Sequence, residues 1–394
     1  MKKFGKDVFI SGYKRSPIGK FMGSLSTIPA TSLGSQVLRG LLEQTEFHGS
    51  SVNEVIIGNM FGGLGQCPSR QVAINSGLDY TTICTTINKA CSSGMKAVTL
   101  AAESISLNHS KIIVAGGIEN MSLVPYSSSN LRTGHSFANT KLEDLLTVDG
   151  VYCKHSQLTM GRCSERTIQK YSITRQEQDL FCAESYKRAN DAWSRGFYSK
   201  EIIAIEKTGK HGSISISEDE EYKKVDYTKI PNLKPAFEQN GTITAANASG
   251  FNDGAAMLVL MDQESLNEYS MKPVAKIIGQ ADWEVEPVHF GTAPSGAMEL
   301  AVKRAGLFKE DIDLWEINEN FSSIAIVNMK ILDLDHAKVN VNGGAVALGH
   351  PFAASGARII CTLINSLQEK GLRFGCASIP NGGGGATAIV LELV

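Results

Sequence analysis

Apolar residues cluster in short runs set between glycine-rich stretches. Val8-Phe9-Ile10, Val55-Ile56-Ile57, Ile112-Ile113-Val114 and Ile389-Val390-Leu391 predict short buried strands. Residues 93–107 and 355–368 predict helices. Strands alternating with helices imply an α/β fold around a largely buried sheet. Residues 121–250 break this rhythm. Ser127-Ser128-Ser129-Asn130 and the stretch from Gly209 to Ser217 are turn-rich, and Ser217 to Asp226 is charged. This segment predicts an insertion with one amphipathic helix, Thr174 to Gly196, capped by Thr174 with Glu177 three residues on. Long insertions between sheet elements commonly form binding loops.

A second pattern is repetition. Ser93-Gly94-Met95-Lys96 matches Ser355-Gly356-Ala357-Arg358 at an offset of 355 − 93 = 262. The same offset pairs Lys111 with Arg373, Val114-Ala115 with Cys376-Ala377, and Glu54 with Glu316. A constant offset through strand, glycine turn and helix predicts a duplicated α/β half.

The 394 residues suit two or three domains, or one large duplicated fold. With 42% hydrophobic and 20% charged residues the chain can bury a sizeable core, which excludes global disorder. Lys+Arg 38 against Asp+Glu 40 leaves a net charge of −2, which argues against nucleic-acid or membrane-surface binding through bulk charge. A small basic patch for an anionic cofactor stays open. No apolar run approaches the about 18 residues of a membrane span or the about 7–15 of a secretory signal. The expected location is the cytoplasm, or the mitochondrial matrix after loss of a leader. None of the eight cysteines has CxxC or zinc-finger spacing, so reduced, mostly buried thiols are expected.

Four segments could carry chemistry. Cys91 lies in Asn88-Lys89-Ala90-Cys91-Ser92-Ser93-Gly94-Met95, where small residues permit a tight strand-to-helix turn. A helix N-terminus lowers a thiol pKa and favours thiolate; the plain alternative is an inert buried cysteine. His350 follows Asn342-Gly343-Gly344-Ala345-Val346-Ala347-Leu348-Gly349 on a loop before a helix. It could take a thiol proton near neutrality, or be a satisfied loop histidine. Trp315-Glu316-Ile317-Asn318-Glu319-Asn320-Phe321 alone reads as a capped helix start. Ile379-Pro380-Asn381-Gly382-Gly383-Gly384-Gly385 is a glycine turn between apolar strands. It could present backbone N–H groups to an oxyanion, or be a flexible hairpin.

Together these ordered motifs resemble the thiolases, from about Val8 to Leu393, and most of all the biosynthetic-type acetyl-CoA acetyltransferases of mitochondrial type. The resemblance implies an α/β thiolase fold: two duplicated βαβαβαββ halves in a five-layered αβαβα arrangement, with an inserted loop domain. It places an N-terminal half at 1–120, completed by about 245–270, and a C-terminal half at 271–394. Between them, 121–250 would be the loop domain for coenzyme A binding and oligomer contacts. The implied reaction condenses two acetyl-CoA to acetoacetyl-CoA plus CoA, or runs in reverse. By resemblance Cys91 is the nucleophile and His350 its base. Asn318 holds a water that forms one oxyanion hole with His350, and the N–H groups of Cys91 and Gly382 form the other. Ser249, Lys224, Met160 and Phe321 match coenzyme A contacts, and Tyr222 matches a potassium-site tyrosine. Family members are homodimers or dimers of dimers.

The sequence also departs from the family. Pro380 stands at the position of the family's second catalytic cysteine, which shuttles the proton. The nearest thiol, Cys376, is four strand residues away, roughly 13 Å, where proton transfer needs about 2.6–3.2 Å. Thr159 replaces a usual histidine before Met160, Asn320 a usual alanine, and Ala353 a usual glycine. At Ala353 an added Cβ would cost about 1–2 kcal/mol if φ were positive. The alternative expectation is therefore a thiolase that only acylates or hydrolyses acyl-CoA, or a non-catalytic CoA-binding subunit.

Overall fold

The computed structural model describes residues 5–45, 49–209 and 212–394. Its main sheet falls into two similar halves. The first contains β1 (Val8–Arg15), β2 (Glu54–Gly58), β3 (Ile83–Ile87), β4 (Ile112–Asn120) and β5 (Asn252–Asp262). Their order is β1-β5-β4-β2-β3. The second contains β6 (Ala275–Glu284), β7 (Leu314–Ile317), β8 (Phe374–Asn381) and β9 (Gly385–Leu393), in the order β6-β9-β8-β7. The first half has two parallel pairs (β2·β3, β2·β4) and the second has one (β7·β8), and in both halves the parallel strands continue into antiparallel neighbours. The halves join where Val8, Phe9 and Ile10 pair with Ile277, Lys276 and Ala275. The repeat is visible in the elements themselves: β4 begins at Ile112 and β8 at Phe374, and 374 − 112 = 262.

The principal helices are α1 (Ala30–Gln44), α2 (Pro68–Asn75), α3 (Ser93–Ser106), α4 (Met160–Lys170), α5 (Arg175–Ser194), α6 (Ala293–Ala305), α7 (Ser322–Leu332) and α8 (Phe352–Lys370). Helix α1 packs on β5 and on α2 outside the first half, and α6 packs on β6 and β9 outside the second. Helices α3 and α8 lie against each other, and α8 touches β4 and β5 of the first half as well as β7 and β8 of the second. The result is five layers, αβαβα. Glycine makes the central contact possible. A Cβ on Gly117 of β4 would sit 1.9 Å from the Ala353 carbonyl oxygen, and one on Gly94 of α3 would sit 2.4 Å from the same atom. Backbone therefore meets backbone at this point.

Among the described residues the insertion contributes no strand to the main sheet, and its strands pair in two-stranded ribbons. It is tied to the sheet by buried charge: the Arg15 guanidinium donates to Glu201 at 2.6 Å and to both oxygens of Asp219 at 2.7 and 2.9 Å. Helix α5 starts with the expected capping box of Thr174 and Glu177. The turn-rich segment from Gly209 to Ser217 is a hairpin of Ile205–Gly209 with Gly212–Ile216, and Lys210 and His211 lie outside the described residues.

Two expectations are corrected. Trp315 to Ile317 belong to strand β7, not to a helix start; the helix begins at Ser322, after the polar Asn318-Glu319-Asn320 turn. Ala353 is in the first turn of α8 and is not among the residues with positive φ, so its Cβ carries no such strain. All eight cysteines are free thiols. Among the described residues no helix is long and apolar enough to cross a membrane.

Candidate active site

A mainly apolar cavity of about 420 Å³ opens where the halves meet the insertion. Cys91, His350, Gly382 and Asn320 line it, with Met160, Ser249 and Phe321 along its wall. The sequence thus brings together residues from both repeats and from the insertion.

Cys91 stands two residues before α3, on a strained elbow. Ala90 has φ +46, a left-handed conformation that costs a non-glycine residue about 1 kcal/mol or more. Hydrogen bonds hold it there: the Ala90 N–H donates to Asn88 Oδ1 at 2.8 Å, and Ser93 Oγ donates to the Ala90 carbonyl at 2.6 Å. The next residue, Ser92, donates to the Ile379 carbonyl at 2.9 Å and bonds Asn381 Oδ1 at 3.0 Å, which docks the end of β8 beside Cys91. The backbone N–H groups of Gly382 and Cys91 act on the Cys91 thiol in the sense that favours thiolate. The expected lowering of the thiol pKa is corrected. Burial pushes it up to about 12 and outweighs those two donors, while the buried Glu119 carboxyl adds to the rise.

His350 lies between Gly349 and Pro351, just ahead of α8. Its tautomer follows from its partners. Ser355 Oγ donates to the Pro351 carbonyl at 2.9 Å, so it accepts from His350 Nδ1–H at 2.6 Å. Nε2 then carries the lone pair and accepts from Asn320 Nδ2 at 3.0 Å. Burial, with help from the charge of Arg358, pushes the imidazole down to about 3. It is a neutral acceptor across the physiological range, rather than a group titrating near neutrality.

Asn318 is not among the residues lining the cavity. Its Nδ2 donates to Asn320 Oδ1 at 3.0 Å, so the Asn320 side chain stands between Asn318 and His350. The sequence flagged Asn320 only as a departure; nothing in its spacing indicated this link. Ser249 donates through N–H and Oγ to the Asn320 carbonyl at 3.1 and 2.9 Å. Phe321 meets Phe237 edge to face at 5.8 Å. Met160 begins α4, whose N-cap is Thr159.

Pro380 is buried in β8 opposite Ala386 and is not among the cavity-lining residues. Cys376 is fully buried in the core packed with Trp315 and Ile317 and does not line the cavity. Lys224 lies away from the cavity, exposed and paired with Glu221 at 3.0 Å. The Tyr222 hydroxyl donates to Glu218, whose carboxylate also holds Lys223 Nζ at 2.6 Å. Trp193 stacks on the Tyr222 ring.

Comparison with known proteins gives a consistent result. The profile of the thiolase N-terminal domain matches residues 8–264 and that of the thiolase C-terminal domain residues 271–393. A "probable acetyl-CoA acetyltransferase" of Dictyostelium discoideum is 49% identical over 98% of this chain and 94% of its own length. The "acetyl-CoA acetyltransferase, mitochondrial" of Rattus norvegicus is 47% identical over 98% of this chain and 91% of its own. The crystal structure of a thiolase from Ascaris suum in complex with coenzyme A superposes with a TM-score of 0.93 at 40% identity, covering 99% of this chain and 100% of that one.

Proposed function

The chain belongs to the thiolase family, and from that premise we propose that it is an acetyl-CoA acetyltransferase: it condenses two acetyl-CoA to acetoacetyl-CoA and CoA, or runs the thiolysis, through an acyl-Cys91 intermediate. The observation that carries this reading is the shared cavity of Cys91, His350 and Gly382. The Cys91 thiol and the His350 imidazole are both neutral at rest. Nε2 accepts the thiol proton as the sulfur attacks the acyl carbonyl. The carbonyl oxygen then takes the charge and meets the N–H groups of Cys91 and Gly382, donors worth about 10²–10³ each in rate. Collapse of the adduct releases CoA, whose sulfur takes back the proton.

Coenzyme A is read as substrate rather than as a resident cofactor. Met160, Ser249 and Phe321 line the wall along which its pantetheine arm would run, and Lys224, exposed outside this cavity, would meet the adenine end. The insertion, residues 121–250, acts as the loop domain of this binding, between halves at 1–120 (completed by about 245–270) and 271–394. A potassium ion at Tyr222 would meet a carboxylate that Lys223 already neutralises. That donor set does not fit it, and no step runs through one. The assembly is a homodimer or a dimer of dimers: β3 is an edge strand, and Ile83 on it is 61% exposed. Such an edge is usually covered or paired. Eight free thiols suit a reducing compartment, the cytoplasm or the mitochondrial matrix.

One observation favours a narrower second reading. Pro380, on β8 opposite Ala386, supplies no ionisable group for the second proton transfer, which favours acylation of Cys91 and hydrolysis of the acyl group without condensation. The deciding experiment incubates the protein with acetyl-CoA and maps the adduct by mass spectrometry. An acetyl group on Cys91 is expected, and its absence would leave a non-catalytic CoA-binding subunit. Thiolysis of acetoacetyl-CoA at a steady rate then separates the full reaction from the narrower one.

A further inference from the structure

Asn320 joins the two groups nearest the reacting atoms. It lines the cavity with Cys91 and His350. Its Nδ2 donates to His350 Nε2 at 3.0 Å, and its Oδ1 accepts from Asn318 Nδ2 at 3.0 Å. Its own carbonyl is fixed by both donors of Ser249. The carboxamide is therefore oriented at both ends, with nitrogen toward the imidazole and oxygen toward Asn318.

This orientation suits only the resting state. While Nε2 has its lone pair, the Nδ2–H bond satisfies it. Once Nε2 has taken the Cys91 proton it becomes a donor, and two N–H groups face each other. A developing negative oxygen between them accepts from both and removes the conflict. We propose that Asn320 is a catalytic residue of this chain: its Nδ2 donates directly to the thioester oxygen of the acetyl-CoA enolate, beside the protonated Nε2 of His350. The inference rests on the acyl-Cys91 reading.

For cleavage of acetoacetyl-CoA the steps balance. The thiol proton passes to Nε2, and the sulfur–carbon bond forms at the ketone carbon. The bond between that carbon and the methylene breaks, and its electron pair moves into the enolate, whose oxygen meets Nδ2 and Nε2. The enolate carbon then takes up the proton that the thiol gave.

The test compares single-turnover acetylation of Cys91 by acetoacetyl-CoA, which requires the enolate, with acetylation by acetyl-CoA, which does not. Asn320→Ala is expected to slow the first by about 10²–10³-fold, at least tenfold more than it slows the second. Asn320→Asp keeps the shape but places a carboxylate beside Nε2. It is expected to be slower still with acetoacetyl-CoA, with its optimum moved to higher pH because the imidazole holds its proton. Equal slowing of both reactions marks a merely structural role and overturns the proposal, as does an Asn320→Ala rate at or above that of the unsubstituted protein. If the unsubstituted protein takes acetyl from acetyl-CoA but not from acetoacetyl-CoA, the proposal falls and the acyl-Cys91 reading stands. If it takes acetyl from neither, that reading itself falls.

Discussion

The two halves of the sheet share one plan but end differently. In the first, the outermost strand β3 presents an open edge with Ile83 in solvent. In the second, β7 is outermost and its free side is closed from within. Val339 bridges Trp315, and the Asn340 carboxamide bonds the N–H and the carbonyl of Ile317, both at 2.8 Å. Arg188 of α5 donates to the Val339 carbonyl at 2.7 Å and so braces this closure from the insertion. Chemistry divides along the same line: the first half presents a sulfur ahead of its central helix, the second an imidazole ahead of the equivalent one. A duplicated framework thus brings two unlike side chains to one cavity and leaves β3 at the end of the sheet among the described residues.

The strongest way to disturb this division is to put a thiol at position 380 of the second half, whose own Cys361 and Cys376 are buried in its core. Pro380→Cys is expected to raise the steady-state rate of acetoacetyl-CoA thiolysis by about 10²–10⁴-fold, the usual worth of a general acid or base; no gain would mean that this position does not limit the reaction. Next comes the sulfur of the first half. Its pKa lies near 12 against an ordinary 9, and only the thiolate is nucleophilic. Iodoacetamide should therefore label Cys91 at pH 8 about 10³-fold more slowly than an unstructured cysteine peptide, with the rate rising as pH climbs toward 12. Peptide mapping across a pH series measures this. The open edge comes third. Ile83→Lys should weaken self-association at least about tenfold by sedimentation velocity, since a charged edge discourages strand pairing; an unchanged assembly would place the interface elsewhere. The smallest effect concerns the seam. Ala353→Gly should lower stability by about 0.5–1 kcal/mol, the ordinary cost of glycine in a helix. A stabilising result in a denaturant titration would restore the strain expected from the sequence.

Much of this was legible in the sequence where local signals were strong. The apolar triplets mark β1, β2, β4 and β9, the offset of 262 marks the duplication, and Thr174 with Glu177 marks the start of α5. The failures share a physical cause, which is burial supplied by distant chain. The segment at Trp315 reads as a capped helix start because an amphipathic run there ends in polar groups followed by Phe321. Its Glu316 is instead buried within a strand, and desolvation pushes the carboxyl up to about 8. A helix N-terminus argued for an acidic thiol at Cys91, and the enclosing pocket reversed it. The tie from Asn320 to His350 spans 30 residues, which neither propensity nor periodicity registers.

The crossing of Gly94 and Gly117 over the Ala353 carbonyl has a mechanical consequence. Main chain rests on main chain there, and no side chain stands between to absorb a shift by changing rotamer. Cys91 lies three positions before one of these contacts, and His350 three before the other. A displacement of either central helix is therefore passed directly to the gap between the Cys91 sulfur and the His350 imidazole, which makes this seam the gauge by which their spacing is set.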